Sequence, residues 1–240
     1  MTERLKDKVV LIAGATGALG RAVTHEFAAS EARLALISTS PEKLTQLAGE
    51  TGLSEDDVYT IAADATREDA VQALIEDVMQ HFGQLDALVN TIGMWRGGRA
   101  VHETSVSMWE RTFDINLRSA FLLSRAVLPH LLENDWGRIV HVSSRSALHP
   151  RANNAAYAAA KAALVTLTDV IAAEVKGSGV TANVVLPSVI DTPANRKALS
   201  GMDPETWVPP ESIAALIHFL FSPAGDAING AHLPIYGDIF

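Results

Sequence analysis

The strongest constraint on the fold is a short apolar run that leads directly into a group of glycines. Residues 9–13, Val-Val-Leu-Ile-Ala, are continuously apolar, as in a parallel strand covered on both faces. They are followed by Gly14-Ala-Thr-Gly-Ala-Leu-Gly20 and by a helical stretch at residues 21–30. A glycine turn between a strand and a helix N-terminus lets backbone N–H groups and the helix dipole approach a phosphate group. This placement favours a phosphate-binding turn over a plain tight turn.

The alternation of strand and helix continues along the chain. Pro129 is expected to kink or stop the long helix predicted at residues 103–132. Strands separated by helices predict right-handed crossovers, and therefore an α/β fold. We expect a doubly wound (Rossmann), mainly parallel sheet of about seven strands with helices on both faces. Further strands are predicted at residues 33–37, 58–62, 85–90, 138–142, 180–186 and 231–236, and further helices at 41–49, 67–82, 155–176 and 211–221.

We find no repeat or linker that divides the chain, so residues 1–240 are expected to form a single nucleotide-binding and catalytic domain. With 240 residues, of which 48% are hydrophobic, the chain can bury a sizeable core. The longest irregular stretch, residues 187–210, is rich in Pro, Ser, Asp and Asn. Loops of that length are often lids, so we expect it to be a substrate loop.

Charge and composition exclude several classes of protein. A formal net charge of −9 argues against nucleic acid or an anionic membrane as a partner. The absence of cysteine excludes disulfides and thiolate chemistry, and the eight histidines show no metal-ligand spacing, so no metal is expected. Residues 1–8 are charged and lack the apolar region of a signal peptide. No apolar run reaches the roughly 18 residues of a membrane span. We therefore expect a soluble, cytoplasmic protein.

The candidate catalytic residues lie in the stretch from Ser144 to Lys161. Tyr157 and Lys161 are four residues apart in a predicted helix, so their side chains share a face. A nearby cation favours the phenolate and is expected to lower the pKa of the tyrosine, about 10 when free, towards neutrality. Ser144 lies at the end of the predicted strand 138–142, where its hydroxyl can hold a substrate oxygen. These groups suit the transfer of a proton to or from oxygen.

Polar and glycine residues follow the predicted strand ends throughout the chain. In an open parallel sheet the ligand lies at the carboxyl ends of the strands, so these residues are expected to line one crevice. They are residues 14–20, 38–40, 64, 90–93, 144 and 187–192.

These residues together resemble the short-chain dehydrogenase/reductase family, along nearly the whole chain. The match rests on the three glycines, Asn90-Thr-Ile-Gly93, Asn116 in Asp-Ile-Asn-Leu, and Ser144, Tyr157 and Lys161. The resemblance implies an NAD(P)-dependent oxidoreductase acting on a carbonyl/alcohol pair, with Tyr157 as general acid/base. It further implies Lys161 as phenol activator and ribose ligand, Ser144 as the anchor of the substrate oxygen, and Asn116 as the holder of a relay water.

The resemblance also implies the cofactor-binding residues. The chain departs from the family pattern in the position of the middle glycine, in Thr91-Ile92, and in Ser188 after Pro187, while Thr192 remains where the family contacts the nicotinamide end. Asp64 corresponds to an adenine-contacting Asp, or else it is a helix N-cap. The implied set is Gly14, Thr16, Gly17, Leu19, Gly20, Ser38, Thr39, Asp64, Ala65, Asn90, Gly93, Tyr157, Lys161, Pro187, Ile190 and Thr192.

The end of the second strand bears on which nucleotide is used. A carboxylate there would pair with a free 2′-hydroxyl and repel a 2′-phosphate. Residues 38–40 are Ser-Thr-Ser, with neither a carboxylate nor an arginine. Three hydroxyls can bond a phosphate or a ribose, so NADP(H) is preferred here and NAD(H) remains open.

Two other functions would use parts of the same pattern. A sugar-nucleotide epimerase or dehydratase would use the same Tyr/Lys pair, but too few residues follow Thr192 for its extra substrate domain. A non-catalytic NAD(P)-sensing regulator would need neither Tyr157 nor Lys161. Residues near the expected pocket either recognise an anionic substrate or are solvated surface charge. These residues are Trp95, Arg96, Arg99, Arg145, His149 and Arg151.

The helix at residues 155–176 predicts self-association. It is apolar nearly all round, whereas a helix on a sheet needs only one apolar stripe. We expect a homo-dimer or homo-tetramer built on this helix and on the preceding long helix. The alternative is that the loop at 187–210 or the C-terminal segment covers the outer face.

Overall fold

The computed structural model describes residues 2–238, with the side chains of residues 2 and 3 left aside. The described chain contains one seven-stranded sheet in the order β3-β2-β1-β4-β5-β6-β7, and each neighbouring pair is parallel. This confirms the predicted α/β class. The strands are β1 (Val9–Ala13), β2 (Arg33–Ser38), β3 (Val58–Ala62), β4 (Ala87–Asn90), β5 (Gly137–Val142), β6 (Val180–Pro187) and β7 (His232–Ile235).

Helices cover both faces of the sheet, as the continuous apolar strands require. In β1, Val10 and Ile12 face one core, and Leu11 and Ala13 face the other. Helices α2, α3 and α9 contribute to the first core, and α4, α6 and α7 to the second. The helices are α1 (Thr2–Leu5), α2 (Ala18–Ala28), α3 (Pro41–Glu50), α4 (Glu68–Phe82), α5 (Val106–Phe113), α6 (Ser119–Glu133), α7 (Ala155–Glu174), α8 (Pro193–Ala198) and α9 (Pro210–Phe219).

The prediction of a single long helix at residues 103–132 is wrong in one respect. It is divided into α5 and α6 by a π-helical segment, Asp114–Arg118. There the side-chain amide of Asn116 donates to the Thr112 carbonyl at 2.9 Å. A side chain that enters the backbone ladder in this way interrupts regular α-helix.

Pro129 does not stop the helix either, because α6 continues to Glu133. The carbonyl that a proline leaves free belongs to the residue four positions earlier, which is Arg125. Both residues are exposed, so water can satisfy that carbonyl.

The segment at 187–210 is more regular than predicted. It contains α8, and its two limbs are joined by a bridge between Ile190 and Val208. Trp207 is 3% exposed and anchors the second limb in the core. Only the part between these anchors projects from the domain, because the ends are held by backbone pairing and apolar burial.

Helix α7 alone among the described helices is long and apolar enough to cross a membrane. Its mean hydropathy reaches 1.4, but half of the window concerned is buried inside the domain. Leu164, Thr168 and Ile171 are all buried there. Packing against the sheet therefore accounts for the apolar residues on the buried side of this helix.

Candidate active site

The glycine turn after β1 has the geometry of a phosphate cradle. Gly14 has a φ of +79°, and a Cβ built on it would lie 2.8 Å from Thr91 Oγ1. Helix α2 begins at Ala18, three residues earlier than predicted, and its N-cap Gly17 provides no side-chain bond. The first N–H groups of α2 are therefore left for a ligand, and the turn has no room for a side chain at Gly14 or Gly20.

The ends of β2 and β3 border this turn. The hydroxyls of Thr16 and Ser38 are 2.6 Å apart, and Thr39 is exposed beside them. Asp64 accepts from the hydroxyl and the N–H of Thr66, at 2.7 and 3.0 Å. These bonds lower the pKa of Asp64, the side-chain bond contributing most. Asp64 is not the N-cap of α4, since that position belongs to Arg67.

At the end of β4, Gly93 brings the chain against two of the predicted catalytic residues. A Cβ on Gly93 would lie 3.1 Å from Lys161 Nζ and 3.3 Å from Asn116 Oδ1. Asn116 itself is 1% exposed. It accepts from the Met94 N–H at 3.1 Å and donates to the Met94 carbonyl at 3.0 Å. Asn116 therefore fixes the loop after β4 beside Lys161.

Asn90 and His141 form a buried polar layer beneath this loop. Asn90 Oδ1 accepts from the Ile92 N–H at 3.0 Å, and Nδ2 lies 3.4 Å from His141 Nδ1. His141 Nε2 is 3.0 Å from the Ser124 hydroxyl. Burial is the main cause that lowers the pKa of His141 to about 3, so the ring is neutral. The side chain of Asn90 is thus used inside the fold.

Ser144, Tyr157 and Lys161 meet where β5 ends and α7 begins. Lys161 Nζ lies 6.0 Å from the centroid of the Tyr157 ring and donates to the Val142 carbonyl at 2.9 Å. The Ser143 hydroxyl bonds the Lys161 carbonyl at 2.8 Å and holds α7 against β5. The i,i+4 spacing thus places the phenol and the ammonium together, as the sequence predicted.

The expected lowering of the tyrosine pKa is not found. Burial raises the pKa of Tyr157, and a hydrogen bond with Ser144 only partly opposes this. Burial also lowers the pKa of Lys161 to about 7. Removing either group from water disfavours its charged form, and this effect exceeds the attraction expected between phenolate and ammonium.

The end of β6 closes the site on its far side. Pro187 is the last residue of β6, and the Ile190 carbonyl accepts from Asn195 Nδ2 at 2.8 Å. Thr192 caps α8 by accepting from the Asn195 N–H at 3.1 Å. Among residues 2–238 no group of three or more His, Asp or Glu side chains is arranged to hold a metal ion.

Comparison with known proteins gives the family. The model of the short chain dehydrogenases matches residues 8–203. The chain belongs to this family. As a short-chain dehydrogenase/reductase, it is an NAD(P)-dependent oxidoreductase that transfers a hydride.

The similarity to relatives and to solved structures extends over nearly the whole chain. D-threitol dehydrogenase of Mycolicibacterium smegmatis is 35% identical over 98% of this chain and 93% of its own. A 3-oxoacyl-[acyl-carrier-protein] reductase of Thermotoga maritima is 30% identical over 98% of this chain and 99% of its own. A glucose/ribitol dehydrogenase-type structure from Brucella melitensis superposes with a TM-score of 0.92, at 32% identity and 99% and 98% coverage. These dehydrogenases and reductases do not favour the epimerase or the regulator.

The sequence pattern does not connect Asn154 and Ser146 with Ser144, but hydrogen bonds do. Ser146 donates its N–H to Ser144 Oγ, and Asn154 bonds both Ser146 Oγ and Trp95 Nε1. An Asn before a helix usually indicates a cap, and a Ser in a loop carries little signal. His141 was hidden within an apolar strand. The contacts of these residues join parts of the chain that are distant in the sequence, so no local pattern predicts them.

Proposed function

We propose that Ser144, Tyr157 and Lys161 form the catalytic centre for a carbonyl/alcohol pair. The observation that supports this most is the convergence of the three on one point, beside Gly93 and Asn116. When bound, the nicotinamide supplies or accepts the hydride. In reduction, the Tyr157 phenol gives its proton to the carbonyl oxygen held by Ser144, and in oxidation it takes that proton back.

The Tyr157 phenol carries its proton at neutral pH, because burial raises its pKa by disfavouring the phenolate. The same burial makes it a weaker acid, so proton donation requires that the phenolate be stabilised as it forms. Lys161 is positioned to stabilise the phenolate that forms, and to bond the ribose of the cofactor. Asn116 holds the Met94 loop beside Lys161 and is proposed to position a water of the proton relay.

The cofactor residues fit a dinucleotide. The turn at Gly14 admits no Cβ, and α2 presents an uncapped N-terminus, both as a pyrophosphate requires. Asp64 and Ala65 border the adenine side, and Ile190 and Thr192 border the nicotinamide side. The same set includes Gly17, Leu19, Gly20, Ser38, Thr39, Gly93 and Pro187, and Asn90 through its backbone, because its side chain is bonded to Ile92 and His141.

NADP(H) is the proposed preference, with NAD(H) as the alternative. Ser38 ends β2 with a hydroxyl where a carboxylate would repel a 2′-phosphate. Ser40, the N-cap of α3, adds a hydroxyl and a helix N-terminus. The carboxylate of Glu42 accepts from Ser40 Oγ at 3.1 Å. A solved 3-ketoacyl-(acyl-carrier-protein) reductase of Brucella melitensis, 27% identical, is described in complex with NADH.

A spectrophotometric screen tests the proposal. Ketones, aldehydes and alcohols are offered with each cofactor, and the absorbance of the reduced nicotinamide is followed. We expect turnover that depends on Tyr157 and a lower KM for NADP(H). Turnover by a variant with Phe at 157 at the unaltered rate would contradict the assignment of the proton donor.

The substrate is proposed to be a small molecule that enters beneath residues 193–206. This tip carries α8 and lies between the anchored limbs of the 187–210 segment. Asp191 and Arg196 form a two-point ion pair at 2.6 and 2.7 Å that braces its base. A braced tip at the mouth of a cleft suits a lid that closes over substrate.

A homo-oligomer, dimer or tetramer, is proposed on the face formed by α5, α6 and α7. Large apolar side chains are exposed there on all three helices: Trp109 at 41%, Phe121 at 46% and Val170 at 48%. A second copy of the same face would cover them. The charge of −9 and the composition further suit a cytoplasmic protein without nucleic-acid or membrane partners.

A further inference from the structure

Asn154 occupies a helix-capping position, but its side chain does not cap the helix. Asn154 is the N-cap of α7, the helix that carries Tyr157 and Lys161, but its side chain makes no capping hydrogen bond. An N-cap Asn that accepts from the first turn usually stabilises a helix. Helix α7, on which the proposed chemistry depends, lacks this stabilising hydrogen bond. Local rules broken in this way are expected at functional sites.

The amide is turned instead towards a line of polar groups that ends at Ser144. Asn154 Oδ1 accepts from the indole Nε1 of Trp95 at 3.1 Å. Its Nδ2 donates to Ser146 Oγ over a long 3.4 Å, and the Ser146 N–H donates to Ser144 Oγ at 3.1 Å. The amide and the Ser146 hydroxyl therefore lie next to the proposed anchor of the reacting oxygen.

The loop geometry around Asn154 holds this arrangement in place. Asn153 has a left-handed φ of +62°, and its carbonyl accepts from the Gly98 N–H at 2.7 Å. Gly97 leaves room for the indole, because a Cβ there would lie 2.8 Å from Trp95 Cζ2. The two loops that flank the cleft are thus bonded to each other on both sides of the amide.

The hydrogen bonds of Asn154 leave capacity for a ligand. A carboxamide has two N–H donors and two acceptor lone pairs. Within residues 2–238 one donor and one lone pair are used. One of each remains, which matches a hydroxyl, because a hydroxyl both donates and accepts. The indole of Trp95 is 60% exposed and offers an apolar face to a short carbon chain.

We propose that Asn154, with Ser146 and Trp95, forms a subsite for a second hydroxyl of the substrate. The substrate class is then a short hydroxylated ketone and its diol or polyol partner. This deepens the proposed function and rests on it, since Ser144 and Tyr157 must hold the reacting oxygen.

An anionic substrate is the competing class, and the contacts of the arginines disfavour it. The Arg145 guanidinium lies over the ring of Tyr236, 5.5 Å from its centroid. Arg96 Nε reaches the sulfur of Met94 at 3.2 Å. These contacts join the two arginines to Tyr236 and Met94, whereas the amide of Asn154 is linked to Ser144 through Ser146.

The test compares reduction of four-carbon ketones that differ at one group: 3-hydroxybutan-2-one, butan-2-one and 3-oxobutanoate. We expect kcat/KM of the wild type to be about tenfold or more higher for the hydroxyketone than for butan-2-one, since a site built for a hydroxyl rejects the analogue without one. In Asn154→Ser this ratio should fall about tenfold. Serine is also a good N-cap, so the thermal midpoint should not decrease.

Three outcomes would contradict this inference or its basis. An equal loss of kcat/KM for hydroxyketone and butan-2-one in Asn154→Ser would make the residue merely structural. Faster reduction of 3-oxobutanoate than of the hydroxyketone would replace the hydroxyl subsite with an anion site. Absence of turnover with every ketone and both cofactors would overturn the proposed function itself, which separates that failure from failure of the subsite.

Discussion

Lys161 Nζ lies 6.0 Å from the centroid of the Tyr157 ring, yet its hydrogen bond goes to the Val142 carbonyl of the adjacent strand, at 2.9 Å. The ammonium is thereby fixed within reach of the phenol without being bonded to it. Since Lys161 is 2% exposed, its charge is held in a place that disfavours charge. The pair is therefore sensitive to pH.

The cofactor-free protein should become more stable as pH rises from 7 to about 10. Burial lowers the pKa of Lys161 from 10.5 to about 7, so in this window the unfolded chain binds a proton that the folded protein does not. Stability rises with pH wherever the unfolded state binds more protons, here by on the order of a few kcal/mol. Denaturant unfolding at several pH values measures the slope. Lys161→Met should lose that part of the slope, and an identical slope in the variant would contradict the assignment.

Tyr157→Phe should abolish turnover while the cofactor still binds, because only the transferable proton is removed. General acid/base catalysis typically contributes about 10²–10⁴-fold. Steady-state kinetics gives the loss in kcat, and quenching of protein fluorescence gives the cofactor affinity. A near wild-type kcat would contradict the role, and loss of cofactor binding would show a structural defect instead.

Ser38→Asp should shift the preference towards NAD(H). The new carboxylate at the end of β2 would repel a 2′-phosphate and pair with a free 2′-hydroxyl. Ser38→Ala is the matched control, because it also breaks the 2.6 Å contact with Thr16 but adds no charge. The ratio of kcat/KM for the two cofactors is the measurement. A wild-type enzyme that already prefers NAD(H) by a wide margin would show the proposed preference to be incorrect.

Acid should destabilise the protein through His141. Burial is the main cause that lowers the pKa of this ring from 6.5 to about 3. Between those values the unfolded chain binds a proton that the folded protein excludes, so stability is lost as pH falls through this window. His141→Asn keeps a polar partner for Asn90 and should unfold over a lower pH range. Substituting the exposed His102 in the same way is the control, and equal shifts in both variants would contradict the prediction.

The proposed oligomer can be tested by light scattering at micromolar concentration. We expect a mass of at least twice the 25.6 kDa of one chain. Phe121→Glu should favour the monomer, because it places a charge on the face formed by α5, α6 and α7. Val101→Glu, at a residue 76% exposed outside those helices, is the control. A wild-type monomer under these conditions would end the hypothesis.

The sheet could be predicted from the sequence because its signal is local. Each strand is a run of apolar residues bounded by a turn, and burial on both faces makes the run continuous. The same holds for Tyr157 and Lys161, since the period of a helix alone brings i and i+4 together. Where a strand ends, the chain turns at the same edge of the sheet, so the crevice follows from the order of the elements.

The remaining features depend on a partner distant in the chain. The break at residues 114–118 follows from the Asn116 amide, which is held by Met94 as well as by Thr112. The regularity of residues 187–210 follows from pairing between Ile190 and Val208. The raised pKa of Tyr157 follows from burial that the sequence pattern does not report. None of these has a periodic signature.

The position of β1 in the sheet has a consequence for how the chain acquires its structure. Strand β1 is made first but lies between β2 and β4, and Val10 pairs with Ala87 only after three helices and two strands have been synthesised. Until then one edge of β1 has no partner, and an open apolar strand edge is a template for association with other chains. Parallel pairs this far apart in sequence also close slowly. A nascent chain halted before β4 should therefore aggregate or bind a chaperone. The chaperone should dissociate once residues 87–90 have been synthesised and can pair with β1.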